Sequence, residues 1–446
     1  MPKSRCRSST RTPPSPSCSA CPTCRSPPTC CCSGRWAWSP TSPPSSSCGS
    51  SIPSTSTSRP TRSGTHGAAS WTRPRPSAST SRTTSTTCCA SGAASGSGSR
   101  RVGRRVLITG LGTFWGGRLA QALEKDPEVD IIIGLDTQEP RVELERTEYV
   151  KADQSYSILS RIVQATQVDT ILHTFLIVDS TRMSGRALHE INVIGTLNLL
   201  AAAGAAGSPV RQVAVKSSTL VYGSSWEDPV WFREEMTRTH SAKTRVERSL
   251  LEAESYLHDF AEDNPHVVVT LLRFSNVLGT DIITPTSKAL QLPVVPSILG
   301  FDPLVQFVEE DDVIRCLEFV MREQVPGIYN VAGDGRLPWS EVASICGKRM
   351  WPLPPVFTGL AAGTLNRLGI ELPPETLDLM RYGRGVDNRR LKRAGFQYRY
   401  TSAGAVESFA RASRLRKAVG DSRPAYRYER EVENFFRRSP AVVKNE

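Results

Sequence analysis

From residue 101 onward, short apolar runs alternate with longer segments whose apolar positions recur at helical spacing. The runs predict strands at Val106–Thr109, Ile131–Leu135, Glu148–Lys151, Thr170–His173, Gln212–Lys216 and Val267–Leu272. The longer segments predict helices at about Gly116–Lys125, Ser155–Gln167, Gly185–Ala206 and Lys243–Asp263. This alternation is typical of a parallel sheet that helices cover on both faces. We therefore predict an α/β fold built on a doubly wound parallel sheet.

Past Asn276 the alternation breaks, and prolines interrupt a stretch without clear periodicity. A helix at Asp311–Met321 and a strand at Gly327–Val331 follow, and then a mostly helical segment to about Lys417. We expect a nucleotide-binding domain over 104–285 and a smaller, partly interleaved C-terminal region over 286–415. Within that region, 307–332 would return to the main core, and 416–446 would form a tail.

The first hundred residues differ from the rest of the chain. They hold 12 Lys or Arg, no Asp or Glu, and no Leu, Val, Phe, Tyr, Asn or Gln. A segment of this kind cannot bury enough apolar area to offset chain entropy, so we predict a disordered low-complexity arm over 1–100. It lacks the apolar core of a signal peptide, and its length and proline content argue against a transit peptide. Our interpretation is translation of a wrong reading frame or a wrongly placed start.

The arm also explains the formal charge of +12. Without its 12 bases, the remainder carries 43 bases and 43 acids. We therefore expect no nucleic-acid partner. No run approaches the ~18 apolar residues of a membrane span, so we expect none.

Ten of the 12 cysteines lie in the arm. Cys18, Cys21 and Cys24 have the CxxC spacing of a zinc site, but no flanking residues would build a fold around the metal, and we predict none. Cys316 and Cys346 alone remain in the rest of the chain. Two isolated cysteines favour a reducing compartment, and we expect a cytoplasmic protein.

A glycine cluster follows directly after the first predicted strand. Gly110, Gly112, Thr113 and Gly116 lie between that strand and a helical pattern. Glycines here allow a tight turn and close approach to a pyrophosphate, which the helix N-terminus attracts. The arrangement predicts a Rossmann-type dinucleotide site.

Asp136 ends the second predicted strand, 26 residues after Gly110. An acid there accepts hydrogen bonds from the adenosine ribose and repels a 2′-phosphate, which favours NAD over NADP. A solvated aspartate at the start of a turn is the alternative.

Five further strings occur in order, and together they resemble the extended short-chain dehydrogenases/reductases. They are INVIGTLNLL (Ile191–Leu200), KSSTLVYGSS (Lys216–Ser225), LLRFSNVLG (Leu271–Gly279), QFVEEDDV (Gln306–Val313) and GIYNVAGDG (Gly327–Gly335). The chain resembles the NAD-dependent epimerase/dehydratase family, which contains UDP-galactose 4-epimerase. The segment Leu377–Ala410 is more similar to a divergent actinobacterial branch.

The resemblance implies a catalytic set. A tyrosine removes a hydroxyl proton, a lysine four residues later lowers the tyrosine pKa and holds the cofactor ribose, and a serine orients the substrate. Ser218 matches the serine, although a strand-end hydroxyl that satisfies backbone is the alternative. Lys243 matches the lysine, both in catalysis and as a contact of the cofactor. Tyr222 is the tyrosine of the VYG string and is normally structural.

The sequence departs from the family pattern at three positions. Thr239 stands where the tyrosine belongs, and a threonine hydroxyl cannot act unaided as the base. The neighbouring His240 titrates in the useful range and is the alternative base, a surface histidine being its bland interpretation. Thr113 replaces the middle glycine of TGxxGxxG, and Glu309 stands where the family usually has histidine.

The resemblance also places several polar residues beside the cofactor. These candidates are Asp153, His173, Asn192 and Ser275. Two of them have an alternative interpretation: Asp153 as an aspartate that stabilises a turn, and Asn192 as a buried amide that bonds to strand backbone. The C-terminal half also offers cations that could bind a substrate diphosphate: Lys288, Arg336, Arg381, Arg384 and Arg389. Each of them is equally well interpreted as a solvated surface residue.

Two functions follow from these observations. The first is an NAD-dependent epimerase, dehydratase or reductase acting on a small molecule such as a nucleotide sugar, with an atypical active site. The second is a non-catalytic NAD-binding sensor or scaffold of the same fold, which the missing tyrosine favours. Family members often dimerise through two long helices, here Gly185–Ala206 and Lys243–Asp263, so a homodimer is expected.

Overall fold

The computed structural model describes residues 103–179, 184–229, 231–355 and 373–419. Its main sheet has seven parallel strands in the order β11-β6-β5-β4-β1-β2-β3. These strands are β1 Arg104–Thr109, β2 Val129–Asp136, β3 Thr147–Lys151, β4 Thr170–His173, β5 Gln212–Ser218, β6 Val268–Phe274 and β11 Gly327–Val331. The order reverses beside β1, as in a doubly wound sheet, so ligands are expected at the carboxyl edge there.

The described helices are α1 Phe114–Leu123, α2 Tyr156–Thr166, α3 Gly185–His189, α4 Gly195–Ala203, α5 Arg245–Asp263, α6 Pro285–Gln291, α7 Glu310–Glu323, α8 Trp339–Ile345, α9 Pro374–Tyr382, α10 Arg389–Arg393 and α11 Ser402–Val419. They cover the sheet on both faces because its strands are apolar on both sides. Leu107 packs into a core with α2, α4 and α5, whereas Ile108 packs into a core with α1 and α7. The predicted α/β fold with a doubly wound parallel sheet is confirmed.

Three two-stranded sheets surround a third core. The strands are β7 Asn276–Leu278, β8 Val294–Ile298, β9 Leu304–Val305, β10 Phe307–Glu309, β12 Leu337–Pro338 and β13 Arg349–Leu353. Phe307, Trp339 and Phe409 are buried in this core. Between its elements the chain returns to the main sheet as β11, which pairs with β6. The C-terminal region is therefore interleaved with the nucleotide-binding part, while the exact domain bounds stay a prediction.

Arg104 ties the first strand to distant parts of the fold. Its guanidinium donates to Gln212 Oε1 at 3.2 Å and to the Arg322 carbonyl at 3.0 Å. It also donates to the carbonyl of Met321 near the end of α7.

The structure corrects three predicted helix bounds. Helix α1 begins at Phe114 instead of Gly116 because Thr113 caps it. Helix α5 begins at Arg245 instead of Lys243 because the Thr244 side chain accepts the Glu247 N–H. The helix predicted over Gly185–Ala206 is divided by one π-helical turn, Glu190–Ile194, and ends at Ala203.

The predicted disordered arm 1–100, with its CxxC cysteines, lies outside the described residues, and so does most of the predicted tail. Among the described helices, none combines the length and the apolar character that crossing a bilayer requires.

Candidate active site

The glycine turn brings β1, α1 and β2 together. Gly110 has a φ of +82°, a conformation that favours glycine. A Cβ at Gly116 would lie 2.2 Å from the Gly110 carbonyl oxygen, and one at Gly112 would lie 2.8 Å from the Gln138 carbonyl oxygen. The first glycine is required by conformation, and the other two are required by close backbone approach.

Thr113 takes the place of the middle glycine without strain. Its φ is −76°, an ordinary value for any residue, and its hydroxyl donates to the Gly110 carbonyl at 2.6 Å while accepting the Gly116 N–H at 3.2 Å. It therefore acts as the N-cap of α1. Within the described part of the chain, the N–H groups of Phe114 and Trp115 have no partner and remain available to an anion at the helix N-terminus.

Asp136 lies at the end of β2, directly beside this turn. Its Oδ2 accepts the Gly112 N–H at 2.9 Å, and its Oδ1 accepts the Gln138 N–H at 3.0 Å. Oδ1 also accepts the Thr137 hydroxyl at 3.4 Å, whereas Oδ2 keeps a further lone pair. Oδ2 therefore has capacity for one ribose hydroxyl, and a second ribose hydroxyl would have to displace Thr137 from Oδ1.

His173 lies inside the sheet rather than on its rim. Nδ1 lies 2.6 Å from Thr109 Oγ1, and Nε2 lies 3.1 Å from Thr196 Oγ1. Burial lowers its pKa to about 4, so the ring is neutral at physiological pH. The histidine joins the ends of β1 and β4 to α4.

Asn192 occupies the π-helical turn between α3 and α4. Its amide accepts the Ile177 N–H at 2.8 Å and donates to the Ile177 carbonyl at 2.9 Å, with a further bond to Ser249 Oγ at 3.1 Å. It thus fixes the segment that follows β4 and connects it to α5.

Two candidate hydroxyls follow β5. Ser218 Oγ accepts the Leu220 N–H at 3.2 Å, which leaves the serine hydrogen free to be donated. Tyr222 is buried, accepts from Arg273 Nη1 at 2.8 Å and bonds Asn330 Oδ1 at 2.8 Å. Burial raises the pKa of Tyr222, and this environment is that of a structural phenol.

Thr239 and Lys243 lie in the segment before α5. The Thr239 side chain is exposed, and its hydroxyl lies 3.4 Å from Asp228 Oδ1. Lys243 precedes the helix cap and is half-exposed, with Nζ 3.5 Å from Asp378 Oδ2. The lysine thereby contacts the C-terminal region through α9.

His240 is held between two charged side chains. Nε2 lies 3.4 Å from Asp228 Oδ1, and Nδ1 lies 3.0 Å from Arg238 Nη2. The Arg238 guanidinium also pairs with the buried Glu247 at 3.0 Å. Nδ1 is engaged by Arg238, whereas Nε2 is buried beside Asp228 and forms no hydrogen bond within the described residues, so a role for His240 as a base would fall to Nε2.

The remaining candidates are spread over the edge of the fold. Asp153 is exposed and accepts the Ser155 N–H at 3.2 Å. Glu309 caps α7 by accepting the Asp311 N–H at 2.6 Å, and burial raises its pKa to about 7.

The predicted cations occupy different environments. Lys288 is exposed, and Arg389 pairs with Asp387 at 2.6 Å. The Arg336 guanidinium lies over the Trp231 ring at 4.1 Å, and Arg381 donates to the Pro355 carbonyl at 3.3 Å.

Arg384 is buried at the junction with the loop that follows β5. It donates to the Gly223 carbonyl at 2.7 Å and to Ser224 Oγ at 2.9 Å. Burial lowers the pKa of its guanidinium to about 10.

Comparison with known proteins decides the family. The model of the NAD dependent epimerase/dehydratase family matches residues 106–332. Uncharacterized proteins of Mycobacterium tuberculosis and Mycobacterium bovis are 31% identical over 326 residues, which cover 71% of this chain and 86% of each relative. The chain belongs to the NAD-dependent epimerase/dehydratase family. The resemblance found in the sequence is confirmed.

Solved structures show the same fold. The dTDP-glucose 4,6-dehydratase of Bacillus anthracis, in complex with NAD, is 16% identical with a TM-score of 0.53, over 71% of this chain and 98% of that chain. The UDP-glucose 4-epimerase of Thermotoga maritima, with UDP-glucose, is 18% identical with a TM-score of 0.53, over 71% and 99%. MoeE5, in complex with UDP-glucuronic acid and NAD, is 19% identical with a TM-score of 0.55, over 70% and 99%.

The residues of this epimerase/dehydratase-family chain fit NAD. Two unpartnered N–H groups lie at the N-terminus of α1, where a phosphate would bind, and Asp136 lies beside the same glycine turn at the end of the neighbouring strand β2. Ser275 Oγ, buried where β6 ends, has no hydrogen-bond partner within the described residues. An unpartnered buried hydroxyl at this edge is what a ligand contact would satisfy. The predicted cofactor is thus confirmed at the level of the family, and the individual contacts stay predictions.

One residue of this edge was missed in the sequence. Lys216 lies in the buried strand β5, with its Nζ 5.0 Å from the centre of the Trp115 ring. The signal was a lysine inside QVAVKSS, an otherwise apolar and small-residue strand. A charge on a strand flanked by β4 and β6 is energetically costly without a partner, and it therefore indicates a functional role for the lysine.

Proposed function

We propose that the protein binds NAD at the carboxyl edge of its sheet and acts as an atypical epimerase/dehydratase on a nucleotide sugar or a similar hydroxyl substrate. The observation that carries the proposal is the unpartnered pair of N–H groups at Phe114 and Trp115, with Asp136 beside them. The N–H groups suit the pyrophosphate and the carboxylate suits the adenosine ribose. Structural neighbours solved with NAD, UDP-glucose and UDP-glucuronic acid support the ligand class.

The chain's own residues divide the work at this edge. When bound, NAD supplies a hydride acceptor for an alcohol carbon. Ser218, whose hydroxyl hydrogen is free, orients the substrate oxygen. Arg384 holds the loop after β5 through Gly223 and Ser224 and connects it to the C-terminal region. These contacts support substrate recognition at the point where the two parts of the fold meet.

The proton-removing group is the atypical part of the site. Thr239 cannot replace a tyrosine as the base because its hydroxyl has no accessible pKa near neutrality. Lys243 lies outside α5 and faces Asp378. We infer that any turnover does not use the Thr239–Lys243 pair as the family uses tyrosine and lysine.

These same two residues favour a second candidate function, a non-catalytic NAD-binding sensor. Both candidates require NAD binding, and they differ in turnover. Calorimetry on the full-length protein, with Asp136→Ala and Gly110→Val beside the wild type, tests the shared step. Tight binding by the wild type that both variants weaken supports the proposal, whereas no binding by the wild type contradicts it.

Turnover then separates the two candidates. The protein is incubated with NAD and a panel of UDP- and dTDP-sugars, and proton NMR of the sugar ring signals detects a new epimer or a dehydrated product. A product with the wild type that Ser218→Ala diminishes supports the enzyme. NAD binding with no product across the panel supports the sensor.

Cellular location and assembly remain proposals as well. Cys316 and Cys346 are buried free thiols, which supports a reducing, cytoplasmic location. A homodimer through the faces of α4 and α5 is proposed on the family's habit, and light scattering during gel filtration tests it.

A further inference from the structure

Lys216 is a buried cation whose surroundings are aromatic. The residue is 4% exposed, and its Nζ lies 5.0 Å from the ring centre of Trp115 and 5.6 Å from that of Phe274. Cation–π contacts of this kind offset only part of the cost of removing an ammonium from water. Burial lowers the pKa of Lys216 to about 8, and a buried, uncompensated charge is the physical cause.

The charged groups on the same face of the sheet are engaged elsewhere. On α1, Arg118 pairs with Asp311 at 3.1 Å and with Asp281 at 3.5 Å. At the start of α7, Glu309 accepts the Asp311 N–H. Within the described residues, no carboxylate forms an ion pair with Lys216, so the protein supplies it with no countercharge there.

The position of Trp115 indicates where a countercharge would come from. Trp115 is the second residue of α1, and its backbone N–H is one of the two unpartnered donors at the helix N-terminus. Its ring, on the same residue, contacts the lysine ammonium. Trp115 therefore connects two separate sources of positive charge, the N-terminus of α1 through its backbone and the lysine ammonium through its ring.

We propose that Lys216 is a ligand-binding cation that pairs with the diphosphate of a nucleotide held against the N-terminus of α1. The inference rests on the proposed NAD site and adds a residue from outside the glycine turn. A dinucleotide and a nucleotide sugar both carry a diphosphate, and the contact with Trp115 favours the dinucleotide.

A binding role and a structural role for Lys216 predict opposite effects on the ligand-free protein. An uncompensated buried charge destabilises the fold until the anion arrives. A neutral side chain of similar shape is therefore expected to stabilise the ligand-free protein and to lower its affinity for the ligand. If the lysine were a structural element, the same change would lower stability and leave affinity alone.

The experiment compares full-length wild type with Lys216→Met, and Lys125→Met serves as the matched control because Lys125 is exposed beyond the far end of α1. Lys216→Gln is the second neutral variant if Lys216→Met does not fold. Calorimetry measures NAD, ADP, and UDP-glucose with NAD present, and thermal melting measures the ligand-free proteins. We expect Lys216→Met to weaken NAD and ADP by on the order of 10- to 100-fold and to raise the melting temperature.

Each outcome bears on the inference separately from the NAD site. The inference is overturned if Lys216→Met binds every ligand with unchanged affinity. It is also overturned if the affinity for NAD falls while the affinity for ADP does not change, because the lysine would then act at the nicotinamide end. If only the affinity for UDP-glucose falls, the result supports pairing of Lys216 with a diphosphate and assigns that diphosphate to the substrate. If wild type binds no NAD, the proposed function fails, and inorganic pyrophosphate decides about Lys216: binding that Lys216→Met loses supports the inference, and no binding overturns it.

Discussion

The backbone N–H of Gly112 donates to Asp136 Oδ2 at 2.9 Å, so the glycine turn itself orients the acid that ends β2. The two residues are 24 positions apart, and a Cβ at Gly112 would lie 2.8 Å from the Gln138 carbonyl oxygen and 3.2 Å from the same carboxylate oxygen, so this close approach requires glycine. The acid proposed to select the cofactor is therefore oriented by the turn proposed to hold its pyrophosphate.

Asp136→Ala is expected to weaken NAD by on the order of 10- to 100-fold, because the ribose loses a charged acceptor. It is also expected to narrow the preference for NAD over NADP, since the repulsion of a 2′-phosphate disappears with the carboxylate. Calorimetry with both dinucleotides checks this. Asp259→Ala, an exposed aspartate on α5, is the control. If Asp136→Ala and the control bind NAD with equal affinity, Asp136 does not contribute to NAD binding.

Thr113→Ala is expected to lower the free energy of unfolding by about 1 kcal/mol, because α1 loses its N-cap hydroxyl. The affinity for NAD is expected to stay within about threefold, since the anion-binding N–H groups belong to Phe114 and Trp115. Urea unfolding and calorimetry measure the two effects, and Thr113→Ser, which keeps the hydroxyl, is the control. A large loss of affinity at unchanged stability would show that the hydroxyl contacts the ligand.

His173 predicts a loss of stability in mild acid. Its pKa is about 4 in the folded protein because burial disfavours the charged ring, and about 6.5 when unfolded. The unfolded chain binds the proton first, so this contribution is complete above pH 6.5 and is lost as the pH falls towards 4, at a cost of about 3 kcal/mol. Urea unfolding from pH 7.5 to 4.5 should show a shallower decline in His173→Gln than in wild type. His266→Gln, at an exposed position, should follow the wild type.

Lys243→Met is expected to change NAD affinity by less than about threefold, because its Nζ faces Asp378 rather than the glycine turn. For the same reason, Thr239→Tyr alone is not expected to create turnover. Calorimetry and the NMR panel check both variants. A tenfold lower affinity of Lys243→Met for NAD, or product formation by Thr239→Tyr, would show that the segment before α5 rearranges around the ligand.

The periodicity of apolar residues was sufficient to predict the main sheet, because buried parallel strands are apolar on both faces. It was not sufficient at Asn192, where tertiary bonds to Ile177 and Ser249 accompany the π turn. The neighbour of Lys243, Asp378, lies 135 positions away, and no local pattern indicates it. Lys216 was visible as a charge in an apolar strand, but its aromatic neighbours come from α1 and β6.

The anchoring of β1 by Arg104 has a consequence for how the chain is made. The guanidinium reaches the Arg322 carbonyl, 218 positions further along. At the ~5–20 residues per second of translation, about ten seconds or more pass between these two residues. β1 lies between β2 and β4 and is the first strand of the described residues to be made, so its apolar faces stay incompletely covered until α7 has been synthesised. The nascent chain therefore has a long interval in which chaperone binding competes with aggregation, and codon choice before residue 322 is expected to influence the yield of folded protein.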